Sequence, residues 1–104
     1  MKKLLLALLM TPPVVLSSPA PNTNCELEYD VAWGVMELRQ EHFPMPRLVE
    51  NAQGIENVDN RLMAFAIIYK AYEEHVWGSP QGKKNAVKRF ANEVYMQCIK
   101  RGVE

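Results

Sequence analysis

The sequence predicts an all-α fold: a small four-helix bundle that is closed by one disulfide and preceded by a signal peptide. Three observations lead to this fold class. The first is that from Cys25 onward the apolar residues recur every three or four positions. The second is that no segment alternates apolar and polar residues as a strand does. The third is the position of the two cysteines, Cys25 and Cys98, near the two ends of the predicted domain.

Residues 1–20 are predicted to be a secretory signal peptide. Lys2 and Lys3 precede the apolar run LLLALLM, and small residues follow Pro12 and Pro13. The run is shorter than the roughly 20 residues that a membrane-spanning helix needs. Cleavage after Ala20 or after Ser17 fits the small residues, and retention of the segment as an anchor is the alternative. We expect a periplasmic product without stable membrane insertion.

Residues 21–104 are predicted to form a single helical domain. Without Lys2 and Lys3 the chain has ten basic and twelve acidic side chains. This balance argues against nucleic acid as a partner, because phosphate binding needs a basic surface. Six bases and two acids lie between His75 and Glu104. Attraction between oppositely charged faces of the bundle is the preferred explanation, and a basic docking face on the last helix is the other.

The first helix is predicted over residues 25–43 and is stopped by Pro44 and Pro46. Two apolar stripes follow from helical spacing. The core stripe consists of Cys25, Tyr29, Ala32, Met36 and Phe43. The second stripe consists of Leu27, Val31 and Leu38.

The second helix is predicted to begin near Pro46 and to end before Gly54, and the third to cover residues 60–76 with Asp59 or Asn60 as N-cap. The main core stripe of the third helix is Leu62, Phe65, Ala66, Tyr69, Tyr72 and Val76, and a second stripe is Ala64, Ile68 and Ala71. Because the segment LMAFAII is apolar on nearly all sides, this helix is expected to be the most buried.

The fourth helix is predicted to start at Pro80, capped by Ser79, and to end near Arg101 with Gly102 as C-cap. Its core stripe consists of Val87, Phe90, Ala91, Val94 and Cys98. If the first and last helices pack antiparallel, Cys25 and Cys98 meet at one end of the bundle. An exported chain with two cysteines favours a structural disulfide, which contributes about 4 kcal/mol in the chain-entropy model.

The stripe formed by Leu27, Val31 and Leu38 is the candidate partner-binding surface. A helix that is apolar on two sides must have its second side covered. Either another helix of the chain, such as the short second one, covers these residues, or they bind a partner or a second copy of the chain.

The sequence offers little material for catalysis, and neither a metal nor a cofactor is expected. His42 and His75 lack the one-turn spacing of zinc ligands, and no Gly-rich phosphate loop or Cys-x-x-Cys pair is present. The chain is therefore not expected to be an enzyme. Arg39 lies at the margin of the first core stripe. It either packs its stem on the core with its guanidinium in water or forms an ion pair that fixes helix register.

A signal peptide, a short mature chain, four helices and one cysteine near each end resemble the HdeA/HdeB family of periplasmic acid-stress chaperones. The resemblance implies a disulfide-tied helical domain that dimerises at neutral pH and exposes apolar surface to unfolded clients at low pH. The stretches VMELRQ, FPMP and VYMQC also resemble uncharacterised small exported proteins of bacteria and phages.

Two functions are expected from these observations. The first is a periplasmic helical binding protein with acid-stress chaperone activity, in which protonation of carboxylates loosens the fold. The alternative is an interaction factor with one dedicated protein partner, such as an envelope enzyme inhibitor or a phage-encoded periplasmic factor.

Overall fold

The computed structural model describes residues 24–103, and this part of the chain forms four α-helices without strands. They are α1 (Cys25–Gln40), α2 (Met45–Gln53), α3 (Val58–Tyr72) and α4 (Pro80–Val103). The predicted all-α fold with one disulfide is confirmed. The predicted signal peptide, residues 1–20, lies outside the described residues. No helix in the described part is long and apolar enough to cross a membrane.

Helix α1 ends at Gln40, three residues before the predicted end. His42 has a φ of 64°, in the left-handed region, and this residue turns the chain away from the helix axis. The N–H of Phe43 then donates to the carbonyl of Leu38 and closes the turn. Pro44 follows as the N-cap of α2, and Pro46 lies in the first turn of α2, where a missing N–H costs no helical hydrogen bond.

Helix α3 begins earlier and ends earlier than the sequence predicts. Its N-cap is Asn57, not Asp59 or Asn60, because the Asn57 side chain accepts a hydrogen bond from the N–H of Asn60 at 2.8 Å. The helix ends at Tyr72. The next carbonyls, those of Glu74 and His75, accept hydrogen bonds from side chains of α1 and belong to a loop.

Helix α4 begins as predicted. Ser79 accepts a hydrogen bond from the N–H of Gly82 at 3.0 Å, and Pro80 is the first helical residue. The C-terminal prediction is wrong, because Gly102 lies within the helix, which continues to Val103. Lys100 and Arg101 in the last turn favour this extension, since cations stabilise the negative end of the helix dipole.

Helix α1 packs against both α3 and α4, whereas α2 packs mainly against α3. The core is formed by small and branched side chains together with Met36 and Phe90. Ala32, Ala71 and Ala91 are fully buried in it. Small residues let neighbouring helices approach closely, because interaxial distance depends on the side chains at the contact.

The disulfide joins α1 to α4 at one end of the bundle. The sulfur atoms of Cys25 and Cys98 are 2.05 Å apart, and their Cα atoms are 5.5 Å apart. At the other end, the Lys83 ammonium donates a hydrogen bond to the carbonyl of Gln40. The two helices are therefore antiparallel and are tied to each other at both ends.

Candidate functional site

The three residues predicted to bind a partner do not form one continuous patch. Leu27 and Leu38 are each 36% exposed, whereas Val31 is partly buried against the core. Eleven positions separate the two leucines, which is about 16 Å along a helix. Leu27 therefore lies near the disulfide end and Leu38 near the opposite end. Because α2 packs mainly against α3, it does not provide the main cover for this stripe. Partner binding by these residues stays a prediction.

The most exposed apolar stripe lies on α3, where the sequence predicted the main core contact. Val58 is 54% exposed, Leu62 57% and Tyr69 61%. The core contact is made instead by the other side of the helix, through Ala64, Ile67, Ile68 and Ala71. The predicted core stripe of α3 is confirmed only in part: Phe65 and Tyr72 pack against the core, whereas Leu62, Ala66 and Tyr69 are exposed. The close contact with α1 uses small and β-branched residues instead. We call Val58, Leu62, Phe65, Ala66 and Tyr69 the α3 outer face.

The α3 outer face has the spacing of a coiled-coil seam. Val58, Leu62, Phe65 and Tyr69 follow one another at intervals of four, three and four residues. Phe65 is partly buried and connects the seam to the core. Such a seam suits contact with a second helix, because the alternating intervals keep these side chains on one line.

A second exposed apolar group lies on α4. Met96 is 64% exposed, Ile99 45% and Tyr95 37%. The ring of Tyr95 contacts that of Tyr29 edge-on, with centroids 5.9 Å apart, so Tyr95 also fixes α4 against α1.

A polar cleft of about 600 Å³ opens at the disulfide end, between the start of α1, the start of α3 and the end of α4. Arg101 and Glu28 cross it in an ion pair with a nitrogen–oxygen distance of 2.7 Å. Leu27 and Met63 supply its apolar lining. Asn57 also lines the cleft, but its side-chain oxygen caps α3. The charges of Arg101 and Glu28 thus satisfy each other, and Asp59 adds a second carboxylate to the lining.

The opposite end of the bundle contains a polar network that the sequence did not reveal. The amide of Gln40, only 1% exposed, donates to the carbonyl of His75 at 2.8 Å and accepts from the N–H of Trp77 at 2.9 Å. Beside it, Arg39 donates to the carbonyl of Glu74 at 2.8 and 3.2 Å. One signal was present in the sequence: Gln40 lies four residues after Met36, on the core stripe of α1.

The sequence left two arrangements open for Arg39, an ion pair or a guanidinium in water. The structure shows a third, in which the guanidinium is bonded to a backbone carbonyl. This guanidinium lies 5.0 Å from the centre of the Tyr72 ring, and the Tyr72 hydroxyl donates to the carbonyl of Phe43. Burial raises the pKa of Tyr72 above its usual value, and the positive charge of Arg39 partly opposes this shift. The network therefore holds both the loop after α1 and the loop after α3.

Neither histidine lies in a cluster suited to a metal. Residues 24–103 contain no group of three or more His, Cys, Asp or Glu side chains that could hold an ion. His42 is exposed in the turn after α1, and His75 contacts the Trp77 ring edge-on at 4.8 Å.

The described residues thus place apolar side chains of α3 and α4 on the outside of a bundle whose first and last helices are tied at both ends. Comparison of the chain with protein-family models, curated proteins and solved structures found no significant match.

Proposed function

We propose that the chain is an exported helical binding protein of the periplasm that takes one dedicated protein partner on the α3 outer face. The observation that carries this proposal is the exposure of Val58, Leu62 and Tyr69, each more than half accessible on one helix. Contiguous apolar surface on a small domain marks an interaction site. The heptad-like spacing favours a partner that presents an apolar helix.

The closed form of the bundle supports binding at neutral pH. The seam is exposed while α3 remains tied to α1 through Arg39 and Gln40, so no unfolding step is needed to reach it. Preorganised apolar residues on a rigid helix lose little conformational entropy on association, which favours a specific complex.

The acid-activated chaperone implied by the family resemblance has less support. That mechanism needs carboxylates held by cations in the folded state, so that protonation removes stabilisation. Among residues 24–103, the carboxylate of Glu28 is the one found in an ion pair. Its partner Arg101 is 60% exposed, and such surface pairs contribute little to stability. Suppression of client aggregation at pH 3 but not at pH 7 would favour the chaperone form.

The test is capture from a periplasmic extract with the oxidised protein, followed by titration of the purified partner. The variant Leu62→Glu/Tyr69→Glu places two carboxylates on the seam while keeping good helix formers. The matched control is Met96→Glu/Ile99→Glu, which places two carboxylates at exposed apolar residues of α4. We expect one enriched protein, a one-to-one complex by calorimetry, and at least a hundredfold weaker binding by the α3 variant alone.

Two outcomes would contradict the proposal. Equal binding by the α3 variant and the control would remove the α3 outer face from the interaction. A dimer in light scattering that Leu62→Glu/Tyr69→Glu dissociates would show that the occupant is a second copy of the chain and not a separate partner.

A further inference from the structure

Helix α4 presents a second surface of a different chemical character. The side chains that point away from the core occupy about half of the helix circumference. In the first half of α4 this surface is cationic, and in the second half it is apolar with one more cation. We call it the α4 outer face, and its members are Lys84, Lys88, Arg89, Tyr95, Met96, Ile99 and Lys100.

Among residues 24–103, the cations of this face form no ion pair. In the described part of the chain the only ion pair joins Arg101 to Glu28, and neither residue belongs to the α4 outer face. Lys84, Lys88, Arg89 and Lys100 are all exposed. The pair of Arg101 with Glu28 joins the last helix to the acidic first half of the chain, and the other basic residues of the last helix form no such pair within residues 24–103. Four positive charges remain available to an external anion.

The acidic groups that border the α4 outer face lie mainly on its α1 side. Glu93 lies at its margin on α4 itself. On α1, Glu26 and Asp30 line a shallow depression with Tyr95 and Asn92. The exposed Glu37 and Glu41 continue this line along α1 toward the start of α4. None of these carboxylates forms an ion pair with the cations of the face.

The apolar half lies between cations. Met96 and Ile99, the two most exposed apolar side chains of α4, follow Arg89 by two to three turns and precede Lys100. The described clefts at the disulfide end and between α3 and α4 are lined by other residues of α4. The face is thus a convex row of long side chains. Cationic side chains beside exposed apolar ones, on a helix that lies along a surface, are typical of binding to the interface of anionic membranes.

From this arrangement we propose that the α4 outer face docks the protein on the surface of a bilayer that contains anionic phospholipids. The lysine and arginine side chains pair with lipid phosphates, while Met96 and Ile99 enter the boundary between headgroups and acyl chains. The docking is peripheral and leaves the α3 outer face accessible, because that face lies on a different helix. It therefore adds a location to the binding activity and does not depend on it.

Vesicle flotation tests the proposal with the oxidised, full exported protein. One set of vesicles holds equal parts of phosphatidylglycerol and phosphatidylcholine, and the other holds phosphatidylcholine alone. We expect binding to the anionic vesicles only, and its loss at high salt, since screening weakens exposed charges. Lys84→Gln/Lys88→Gln should lower the partition coefficient about thirtyfold, because each cation near an anionic surface contributes a factor of about five.

Two further variants separate the α4 outer face from a general effect of charge. Arg47→Gln/Lys70→Gln removes the same charge from α2 and α3 and should keep most of the vesicle binding. Met96→Ser/Ile99→Ser should weaken binding several-fold while the salt dependence remains, because it removes only the apolar part. Circular dichroism of each variant confirms that the helices are retained.

Three results would overturn the proposal. They are an absence of binding to either vesicle, equal binding to both, or equal loss in the α4 pair and the Arg47/Lys70 control pair. Capture of an acidic protein through Lys84 and Lys88, without vesicle binding, would show that the occupant is a protein and not a lipid surface. Failure of the α3 variant to affect partner capture leaves these vesicle results unchanged, so the two proposals fail separately.

Discussion

Gln40 is the one buried polar side chain among the described residues, and it joins two segments that are far apart in sequence. Its hydrogen-bond partners, the carbonyl of His75 and the N–H of Trp77, lie 35 and 37 positions away. Buried polar groups need partners, and leaving one unpaired costs about 1–3 kcal/mol. The amide therefore specifies how the loop after α3 meets the end of α1.

Replacing Gln40 by leucine should destabilise the fold by about 2 kcal/mol, because packing volume is kept while His75 and Trp77 lose their partner. Urea unfolding at neutral pH measures this change in the free energy of unfolding. Gln97→Leu is the control, since Gln97 is exposed and bonds only to Lys70. A loss below about 0.5 kcal/mol for Gln40→Leu would mean that water satisfies the two backbone groups.

Tyr72 should give the fold a specific sensitivity to alkaline pH. Burial raises its pKa in the folded state, so the protonated hydroxyl is favoured by folding. The stabilisation is fully present below the unfolded pKa of about 10 and is lost as pH rises through the folded pKa. Tyr72→Phe should flatten the fall of the free energy of unfolding as the pH rises above about 10.

The control for this prediction is Tyr69→Phe, because Tyr69 is 61% exposed and lies on the same helix. It removes a hydroxyl that makes no contact with the Arg39 network. Tyrosinate absorbance reports the ionisation directly, and ionisation of Tyr72 at or below the usual tyrosine pKa of about 10 would contradict the prediction.

Sequence reasoning placed Arg39 at the margin of the core stripe but made no prediction for Gln40, and it found the partners of neither residue. Helical periodicity assigns a residue to a face of its own helix. It contains no information about which backbone carbonyl of a distant loop will lie opposite. The carbonyls of Glu74 and His75 are available only because α3 stops at Tyr72, which is a consequence of the same contacts.

At the scale of helices, α3 shows why the presence of a helix is easier to predict from sequence than the side of the helix that faces the core. The segment is apolar on two sides, so either stripe could face α1. The larger aromatic stripe was the expected core, yet Ala64, Ile68 and Ala71 make the contact. Helix α1 brings Ala32 to the core, and small residues on both helices allow the close approach. The size of side chains on one helix does not decide this without knowledge of its neighbour.

The start of α3 gives a prediction at the same scale. Asn57 accepts a hydrogen bond from the N–H of Asn60, so Asn57→Ala should cost about 1 kcal/mol of unfolding free energy. Asn60→Ala is the matched control, because it keeps the N–H that the cap binds and lies inside the helix. Thermal unfolding of both variants measures the difference. A larger loss for Asn60→Ala would restore the cap position expected from the sequence.

At the scale of the whole molecule, the disulfide and the Gln40 network act at opposite ends of the same helix pair. The Cys25–Cys98 pair could be predicted from the sequence, because the domain is expected to be exported, its cysteines lie near both ends, and antiparallel terminal helices bring the thiols together. The hydrogen bond at the other end, from Lys83 to the backbone carbonyl of Gln40, could not be predicted, since a sequence pattern does not show which carbonyl a lysine will meet. Within residues 24–103, the α1–α4 pair is thus held by a covalent bond at one end and by hydrogen bonds at the other.

When the disulfide is removed, the end of the α1–α4 pair that it held should open before the end that is held by hydrogen bonds. Cys25→Ala/Cys98→Ala should lower the free energy of unfolding by about 4 kcal/mol, because the unfolded chain regains the entropy of a loop spanning 73 positions. Hydrogen exchange should then increase first in the opening turns of α1 and the last turns of α4. The helical amides around the fully buried Met36 and Ala71 should stay protected longest.

Reduction of the unmodified protein should reproduce this pattern, whereas a reductant should not affect the alanine variant. A loss below about 1 kcal/mol, or exchange that increases evenly along α1 and α4, would mean that the disulfide adds little to a bundle already closed by its core. The position of the first opening matters for function. Leu27 lies in the cleft at the disulfide end, so fraying there would expose it further without disturbing the seam on α3.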